Sequence, residues 1–193
     1  MATLAILAGG ASSRMGSPKA ELNIAGKPIL QYLLERFAWT GKTVLITAPG
    51  REKPKGWECF DREVVDAVAG EGPLRGILTA LEAAHEMVVV TTVDMPALRG
   101  EQLRWLMKQL ESRAEQGMML RHNGRIEPFP SVYRQQATDV IRERLQSGRA
   151  AVHGLAEMDQ FAAVDAPADW PEETWVNLNR PGDVEAFRRL RHV

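Results

Sequence analysis

Residues 3–19 have the sequence TLAILAGGASSRMGSPK. The apolar run Thr3–Leu7 predicts a short buried strand. Two adjacent glycines, Gly9 and Gly10, follow this strand, and serines and a further glycine come after them. Because glycine has no Cβ, the backbone can approach a ligand closely, and successive N–H groups of a Gly/Ser turn can form a concave anion-binding site. The stretch therefore predicts a strand that ends in a ligand-binding loop.

Two cationic side chains belong to the same loop. Arg14 offers a planar fork of donors and Lys19 a point charge, and both suit phosphate oxygens. The loop has neither the lysine–serine or lysine–threonine pair of the P-loop nor the three-glycine dinucleotide fingerprint. The alternative, a flexible surface loop with two solvated cations, is disfavoured because the loop directly follows a strand and carries both charges. We interpret it as a phosphate-binding loop of another type.

Beyond this loop the hydrophobic pattern predicts alternating helices and strands. The predicted helices are Pro28–Trp39, Leu74–His85, Glu101–Gln116, Ala137–Leu145, Ala150–Met158 and Pro181–Arg191. The further predicted strands are Thr43–Thr47, Glu63–Val65, Met87–Val93, Met118–Arg121, Ser131–Tyr133, Phe161–Val164 and Trp175–Asn177, with a loop at Ala48–Cys59 and a turn at Asn123-Gly124. This alternation predicts an α/β fold: a single-domain three-layer sandwich, residues 1–193, whose mostly parallel Rossmann-like sheet carries helices on both faces.

Composition excludes several classes of protein. Hydrophobic residues make up 45% and charged residues 25% of the 193 residues, and the formal net charge is −1. These values are ordinary for one soluble domain and predict no attraction to nucleic acid or to a membrane surface. The single cysteine, Cys59, excludes an intrachain disulfide and suits a reducing compartment. No signal peptide or membrane span is expected, so we predict a cytoplasmic protein.

Polar residues follow several predicted strands. In a parallel sheet ligands bind outside the carboxyl ends of the strands, so the Gly9 loop, Asp66, Asp94 and Asn177 should converge on one edge. Asp94 ends the longest apolar strand, where a carboxylate could bind Mg²⁺ together with phosphates and waters. From the residue alone, a helix cap or a strand end explains Asp94 equally well.

The other candidates also have ordinary structural explanations. Asp66 could be a turn residue, and the following Gly72-Pro73 could simply start a helix. Asn177 and Asn179 lie two residues apart, so on an extended segment they point to the same side. They could equally cap the last predicted helix.

Four motifs together resemble the molybdenum-cofactor guanylyltransferases, which are small nucleotidyltransferases. The motifs are Leu7–Gly10 with Ser13–Gly16 and Pro18-Lys19, Val65-Asp66 with Gly72–Gly76, Val93–Pro96, and Val176–Pro181. They occur in the family's order and span nearly the whole chain. The resemblance implies the nucleotide-diphospho-sugar transferase type of fold.

The resemblance also implies an activity: Mg²⁺-dependent transfer of GMP from GTP to the molybdopterin cofactor, with release of pyrophosphate. The implied catalytic residues are Arg14, Lys19 and Asp94, with Asp94 as the metal ligand. The implied nucleotide-binding residues are Leu7, Ala8, Gly9, Gly10, Lys19, Thr47, Asp66, Pro73, Leu74, Gly76 and Asp94. Asn177 and Asn179 would contact the acceptor. Residues 1–100 would mainly bind the nucleotide and residues 101–193 mainly the acceptor.

Two departures from the family leave the base specificity open. Thr47 stands where members often carry an asparagine that helps to read the nucleotide, and Ser12-Ser13 resembles cytidine-selective relatives. A cytidylyltransferase of the same fold, acting on molybdopterin or another phosphorylated acceptor, is therefore one alternative. A nucleotide- or cofactor-binding partner protein without turnover is another. Transient contact with cofactor-synthesis proteins or recipient molybdoenzymes is also an expectation from the resemblance.

Overall fold

The predicted strand Thr3–Leu7 lies inside a seven-stranded sheet. The structure is a computed structural model of the protein, and it describes residues 2–9 and 18–191. The strands are β1 (Ala2–Leu7), β2 (Asn23–Ile24), β3 (Lys27–Pro28), β4 (Thr43–Thr47), β5 (Arg62–Val65), β6 (Met87–Thr92), β7 (Gly117–His122), β8 (Arg125–Tyr133) and β9 (Phe161–Asp165). The large sheet has the order β5-β4-β1-β6-β8-β7-β9, and β2 pairs with β3 in a small separate hairpin.

The sheet is parallel apart from β8. Strand β1 pairs in parallel with β4 on one side and β6 on the other, β5 continues the parallel half, and β7 and β9 are parallel to each other. Strand β8 runs antiparallel to both of its neighbours, β6 and β7. All six residues of β1 are buried, because strands flank it on both sides and helices cover both faces of the sheet.

The helices lie on both faces, as predicted for a three-layer α/β sandwich. They are α1 (Ile29–Phe37), α2 (Pro73–Ala84), α3 (Gly100–Glu111), α4 (Ala137–Gln146) and α5 (Pro181–Arg191). The chain moves outward from β1 through α1 to β4, and back from β5 through α2 to β6. Because both crossovers are right-handed by rule, α1 and α2 cover opposite faces. Contacts pair α1 with α3 and α2 with α4. Among the residues that the structure describes, no helix is long and apolar enough to cross a membrane.

Three predicted elements differ from the structure. The strand expected at Trp175–Asn177 is wrong: Glu172–Trp175 is a 3₁₀ helix, and the chain then crosses the carboxyl edge of the sheet instead of running beside a strand. The helix expected at Glu101–Gln116 ends at Glu111, because the Arg134 guanidinium donates to the Leu110 and Arg113 carbonyls. The helix expected at Ala150–Met158 is a 3₁₀ segment, Val152–Glu157.

Close helix–helix contact makes one glycine necessary. Gly100 is the first residue of α3, and a Cβ at this position would overlap the carbonyl group of Phe37, the last residue of α1. The Arg104 Nη1 donates to the same carbonyl oxygen at 3.2 Å. The backbones of the two helices can meet here only because residue 100 has no side chain.

We expect Gly100→Ala to destabilise the fold by roughly 2–4 kcal/mol, in the range for overpacked core positions, because the backbone of α1 must move. Gly182→Ala is the matched control: Gly182 also lies in the first turn of a helix, but a Cβ there would meet nothing within 4 Å. Its stability should stay equal or rise slightly, since alanine favours helix. Urea unfolding of both variants checks this, and equal midpoints would contradict it.

Candidate functional site

The carboxyl ends of the parallel strands surround a cavity of about 580 Å³. This is the place at which the sequence predicted a ligand site. The residues that line it are Leu7, Ala8, Gly9, Lys19, Ile46, Ala48, Pro49, Arg51, Asp66, Val68, Ala69, Gly70, Glu71, Gly72, Pro73, Gly76, Thr92, Val93, Asp94 and Asn179. Apart from Asn179, all of them belong to the first half of the chain.

A lysine connects three distant parts of the sequence at one end of this cavity. The Lys19 Nζ lies 2.5 Å from Asp94 Oδ2 and 2.7 Å from Asn179 Oδ1. The Lys19 and Asp94 side chains are each 17% exposed, so the pair is largely shielded from water and retains much of its Coulomb attraction. The cluster places a cation and two oxygen ligands together, which suits phosphate binding with or without a metal ion.

The Asp94 side chain and backbone are both fixed. Thr92 donates from Oγ1 to Asp94 Oδ1 at 2.5 Å, and the Asp94 carbonyl accepts from the Leu178 N–H at 2.9 Å. The second contact anchors the segment between β9 and α5 beside the end of β6. It explains how Asn179, which is far away in sequence, reaches the same site.

The described part of the glycine loop is closely packed. A Cβ on Gly9 would lie 3.3 Å from the backbone nitrogen of Ala48, which follows the neighbouring strand β4. A side chain at this position would therefore press on the end of that strand. Gly10 and Arg14, which were predicted to bind phosphate, lie outside the described residues, so their roles stay predictions.

Asp66 lines the cavity on the side of β5. Its Oδ1 is buried and has no hydrogen-bond partner among the described residues. Burial raises the pKa of this carboxyl, and it outweighs the opposing effects of a hydrogen bond from Thr79 and of the Arg75 charge. Nearby, the Arg75 Nε donates to Glu71 Oε2 at 2.6 Å. A buried carboxylate oxygen with no partner inside a cavity is a natural acceptor for a ligand.

Three of the predicted site residues do not line the cavity. Thr47 is 6% exposed and its hydroxyl donates to Glu63 Oε1 at 3.0 Å. Leu74 is fully buried in the hydrophobic core. The Asn177 side chain donates to the Trp175 carbonyl at 3.1 Å, so it stabilises the turn before Asn179. Of the two predicted acceptor residues, only Asn179 faces the cavity.

Several residues of the cavity wall are not predicted from the sequence. Arg51 lies in the loop after β4, and the wall also includes the short segment 68–70. Neither has a motif, but both follow strands that end at the ligand-binding edge. That position is the one signal that could have identified them.

A row of aromatic rings lies at the far end of the same edge. The His122 ring stacks on Trp175 with centroids 4.5 Å apart, and Trp175 stacks on Trp170 at 5.9 Å. His122 ends β7, which runs in the same direction as β6, so it belongs to the carboxyl edge. Arg121, the residue before His122, forms an ion pair with Asp165 at 3.1 Å.

The residues around Asp94 fit a magnesium ion. Within residues 2–9 and 18–191 no group of three or more His, Cys, Asp or Glu side chains could hold a metal by itself. Mg²⁺, however, is commonly bound by one or two protein carboxylates and completes its shell with phosphate oxygens and waters. The Asp94 carboxylate and the Asn179 amide oxygen are ligands of this hard-oxygen kind.

The sheet topology and the position of the cavity define an α/β protein of the nucleotide-binding class. The chain belongs to the MobA-like NTP transferase family: the model of the MobA-like NTP transferase domain matches residues 4–167. It is therefore a nucleotidyltransferase, and the predicted family resemblance is confirmed.

Relatives match over nearly the full length. A probable molybdenum cofactor guanylyltransferase of Deinococcus radiodurans is 31% identical over 183 residues, which is 94% of this chain and 91% of the relative. The protein with the same description in Bacillus licheniformis is 29% identical over 185 residues, 93% of each chain. The crystal structure of molybdopterin-guanine dinucleotide biosynthesis protein A from Archaeoglobus fulgidus has a TM-score of 0.85 and 23% identity, covers 98% of each chain, and supports the fold.

The raised pKa of Asp66 predicts a stability effect that depends on pH. Between the ordinary aspartate value of 3.8 and the raised value, the folded state holds more protons than the unfolded state. Stability therefore falls as pH rises through this interval, and the charged carboxylate is unfavourable at pH 7. Without nucleotide, Asp66→Asn should raise the Tm at pH 7 by a few degrees at most, given about 2–4 °C per kcal/mol.

Thermal unfolding of the native protein and of Asp66→Asn at pH 7 and at pH 4 measures the gain in Tm at each pH. The gain should shrink at pH 4, where the native carboxyl is increasingly protonated. Asp159→Asn, at an exposed position before β9, controls for the general effect of removing one charge. A gain that is the same at both pH values would contradict the assignment to Asp66.

Proposed function

We propose that this nucleotidyltransferase transfers GMP from GTP to the molybdopterin cofactor, with Mg²⁺, and releases pyrophosphate. The observation that carries this proposal is the cluster of Lys19, Asp94 and Asn179 at one end of the cavity. It joins the nucleotide half of the chain to the second half, as a reaction between two substrates requires.

The charges along the cavity suggest how the nucleotide lies. Lys19 and Asp94 are beside the end of β6, and Asp66 and the 68–70 segment are beside β5. Strands β4 and β1 lie between these two ends. The triphosphate would lie over Gly9 and Lys19, and the base would lie near the ends of β4 and β5, where Pro49 and Val68 offer apolar surface.

The reaction requires little covalent chemistry from the protein. A phosphate oxygen of the acceptor attacks the α-phosphorus of GTP, the new P–O bond forms, and the bond between the α- and β-phosphates breaks. Positioning and charge neutralisation supply most of the rate enhancement in phosphoryl transfer. Lys19 would neutralise charge on the triphosphate and on the departing pyrophosphate, and Arg14 is predicted to do the same.

Asp94 and Asn179 would hold the magnesium ion together with the nucleotide phosphates. A bound Mg²⁺ would supply Lewis-acid neutralisation of phosphate oxygens. In the structure Lys19 lies against both of these oxygen ligands. Its ammonium group keeps the carboxylate paired until the phosphates enter.

The acceptor would bind beside Asn179, toward the β7–β8 hairpin. Asn179 is the one cavity-lining residue from the second half of the chain in the described structure. His122 and Trp175 form a stacked pair at this edge, and Arg125 is exposed in the same hairpin. Flat rings and a cation suit a heterocyclic, phosphorylated acceptor.

We propose GTP and not CTP as the donor because relatives at 27–31% identity are named probable molybdenum cofactor guanylyltransferases. The 2-C-methyl-D-erythritol 4-phosphate cytidylyltransferase of Thermus thermophilus is 20% identical with a TM-score of 0.69 and covers 99% of this chain and 98% of its own. That likeness reflects the shared fold alone. A cytidylyltransferase is the second candidate because Thr47 and Ser12-Ser13 depart from the pattern of the guanylyltransferases.

A thermal-shift panel tests the donor. The protein is heated with GTP, CTP, ATP or TTP, each with and without Mg²⁺. A nucleotide at a hundred times its Kd stabilises by about 2.7 kcal/mol, or about 5–10 °C for a chain of this size. A shift of this order with GTP and Mg²⁺ supports the proposal, and a preference for CTP contradicts it.

Two substitutions test the catalytic cluster. Lys19→Ala and Asp94→Ala should each lower GMP transfer to molybdopterin by at least about a hundredfold, because each removes a charge that the transition state needs. Pyrophosphate release in the presence of acceptor measures the rate. Circular dichroism checks that both variants fold.

Two matched variants control for the loss of a charge as such. Lys108→Ala and Asp159→Ala remove exposed side chains from α3 and from the turn before β9, away from the cavity. Their turnover should equal that of the native protein. Near-native turnover in Lys19→Ala or Asp94→Ala would remove that residue from the mechanism.

A further inference from the structure

The loop that follows β4 is attached to the sheet through a buried carboxylate. The Glu63 side chain on β5 is 7% exposed. Its Oε1 accepts from the Thr47 hydroxyl at 3.0 Å, and its Oε2 lies 2.9 Å from the Lys53 Nζ. The same ammonium group lies 3.8 Å from the ring centroid of Trp57. We call Thr47, Lys53, Trp57 and Glu63 the clasp.

The clasp bears on which residues after β4 line the cavity. Thr47 ends β4, but its hydroxyl donates to Glu63 and it does not line the cavity. The clasp fixes Lys53 instead, and this holds the short stretch 48–52 between two anchored points. Within that stretch Pro49 and Arg51 line the cavity wall.

Arg51 lines the cavity away from Lys19 and Asp94, the residues proposed to act on the phosphates. It follows β4, and Lys19 and Asp94 lie beside the end of β6, two strands away in the sheet order. Two strand spacings correspond to roughly 10 Å. A residue that follows β4, at this spacing from the Lys19–Asp94 pair and in the same cavity wall as the apolar Pro49 and Val68, is placed to meet the edge of a base.

The edge of guanine matches this group better than the other bases do. Guanine presents two neighbouring acceptors, O6 and N7, which a guanidinium can contact with two parallel N–H donors. Adenine has a donor amino group in place of O6. Cytosine also presents an amino group at the equivalent edge and has no N7.

We propose that Arg51 selects the guanine base through O6 and N7, with the clasp as its positioning device. This inference rests on the proposed function, because it concerns the donor nucleotide of that reaction. It assigns base selection to the loop after β4 and not to the strand end, because the Thr47 side chain does not line the cavity.

Nucleotide analogues test the contact directly. Calorimetry with Mg²⁺ measures the Kd of GTP, ITP, 7-deaza-GTP and CTP for the native protein and for Arg51→Ala. ITP keeps O6 and N7, and 7-deaza-GTP lacks only the N7 acceptor. In Arg51→Ala, binding of GTP and ITP should weaken by about tenfold or more, the order expected for a paired guanidinium contact. The loss for 7-deaza-GTP should be smaller, and CTP binding should not change.

Each other outcome has a definite meaning. An equal loss for GTP and CTP would show that Arg51 contacts phosphates, and no loss for GTP would show that it makes no contact; either result overturns the inference and leaves the proposed function intact. A native protein that prefers CTP contradicts the proposed function and the inference together. Arg62→Ala, exposed at the amino end of β5, is the control and should bind all four nucleotides as the native protein does.

The positioning role of the clasp has its own test. Lys53→Met keeps an apolar stem against Trp57 but removes the cation from the buried Glu63. The ratio of CTP to GTP dissociation constants should fall severalfold, because the loop that carries Arg51 loses its anchor, and Lys53→Arg should restore it. An unchanged ratio in Lys53→Met would remove the clasp from base selection.

Discussion

The parallel pairing of β1 with β4 on one side and with β6 on the other is the constraint on which the site depends. Parallel strands end at the same edge, so this pairing brings together Gly9 after β1, the Arg51 loop after β4 and Asp94 after β6. The chain leaves β1 toward one side of the sheet and later returns to the other side. This change of direction opens a crevice at the edge, and the cavity lies there.

A few polar contacts hold distant segments at that edge. Lys19 contacts Asp94 and Asn179, and the Leu178 N–H donates to the Asp94 carbonyl. The segment between β9 and α5 is thereby held against the first half of the sheet. Any ligand that competes for Lys19 or Asp94 will also act on this segment. In the proposed mechanism, nucleotide binding would therefore be coupled to the arrangement of the second half of the chain through the same side chains.

Charge placement shows where function and stability oppose each other. The Glu63 carboxylate is buried but has both Thr47 and Lys53 as partners. These contacts offset the free energy of desolvating the carboxylate and hold the loop after β4 against the sheet. The Asp66 carboxylate is half-buried and has one oxygen without a partner, and burial raises its pKa. A residue chosen for stability alone would not carry a charge there. Its position inside the cavity gives the reason, since a ligand can supply the missing donor.

The sequence by itself determined the α/β class, most of the strands and helices, and the family. Apolar periodicity and motifs such as the loop after β1 are local patterns, so they can be recognised without knowledge of the tertiary structure. The sequence also indicated Lys19, Asp66 and Asp94, since each follows a predicted strand. The contact of Lys19 with Asp94, the inclusion of Arg51 and the exclusion of Thr47 and Leu74 from the cavity wall were decided only by the tertiary structure. So was the path of residues 175–177, predicted as a strand. These features depend on which distant side chain or backbone group meets each residue, and local pattern carries no record of such partners.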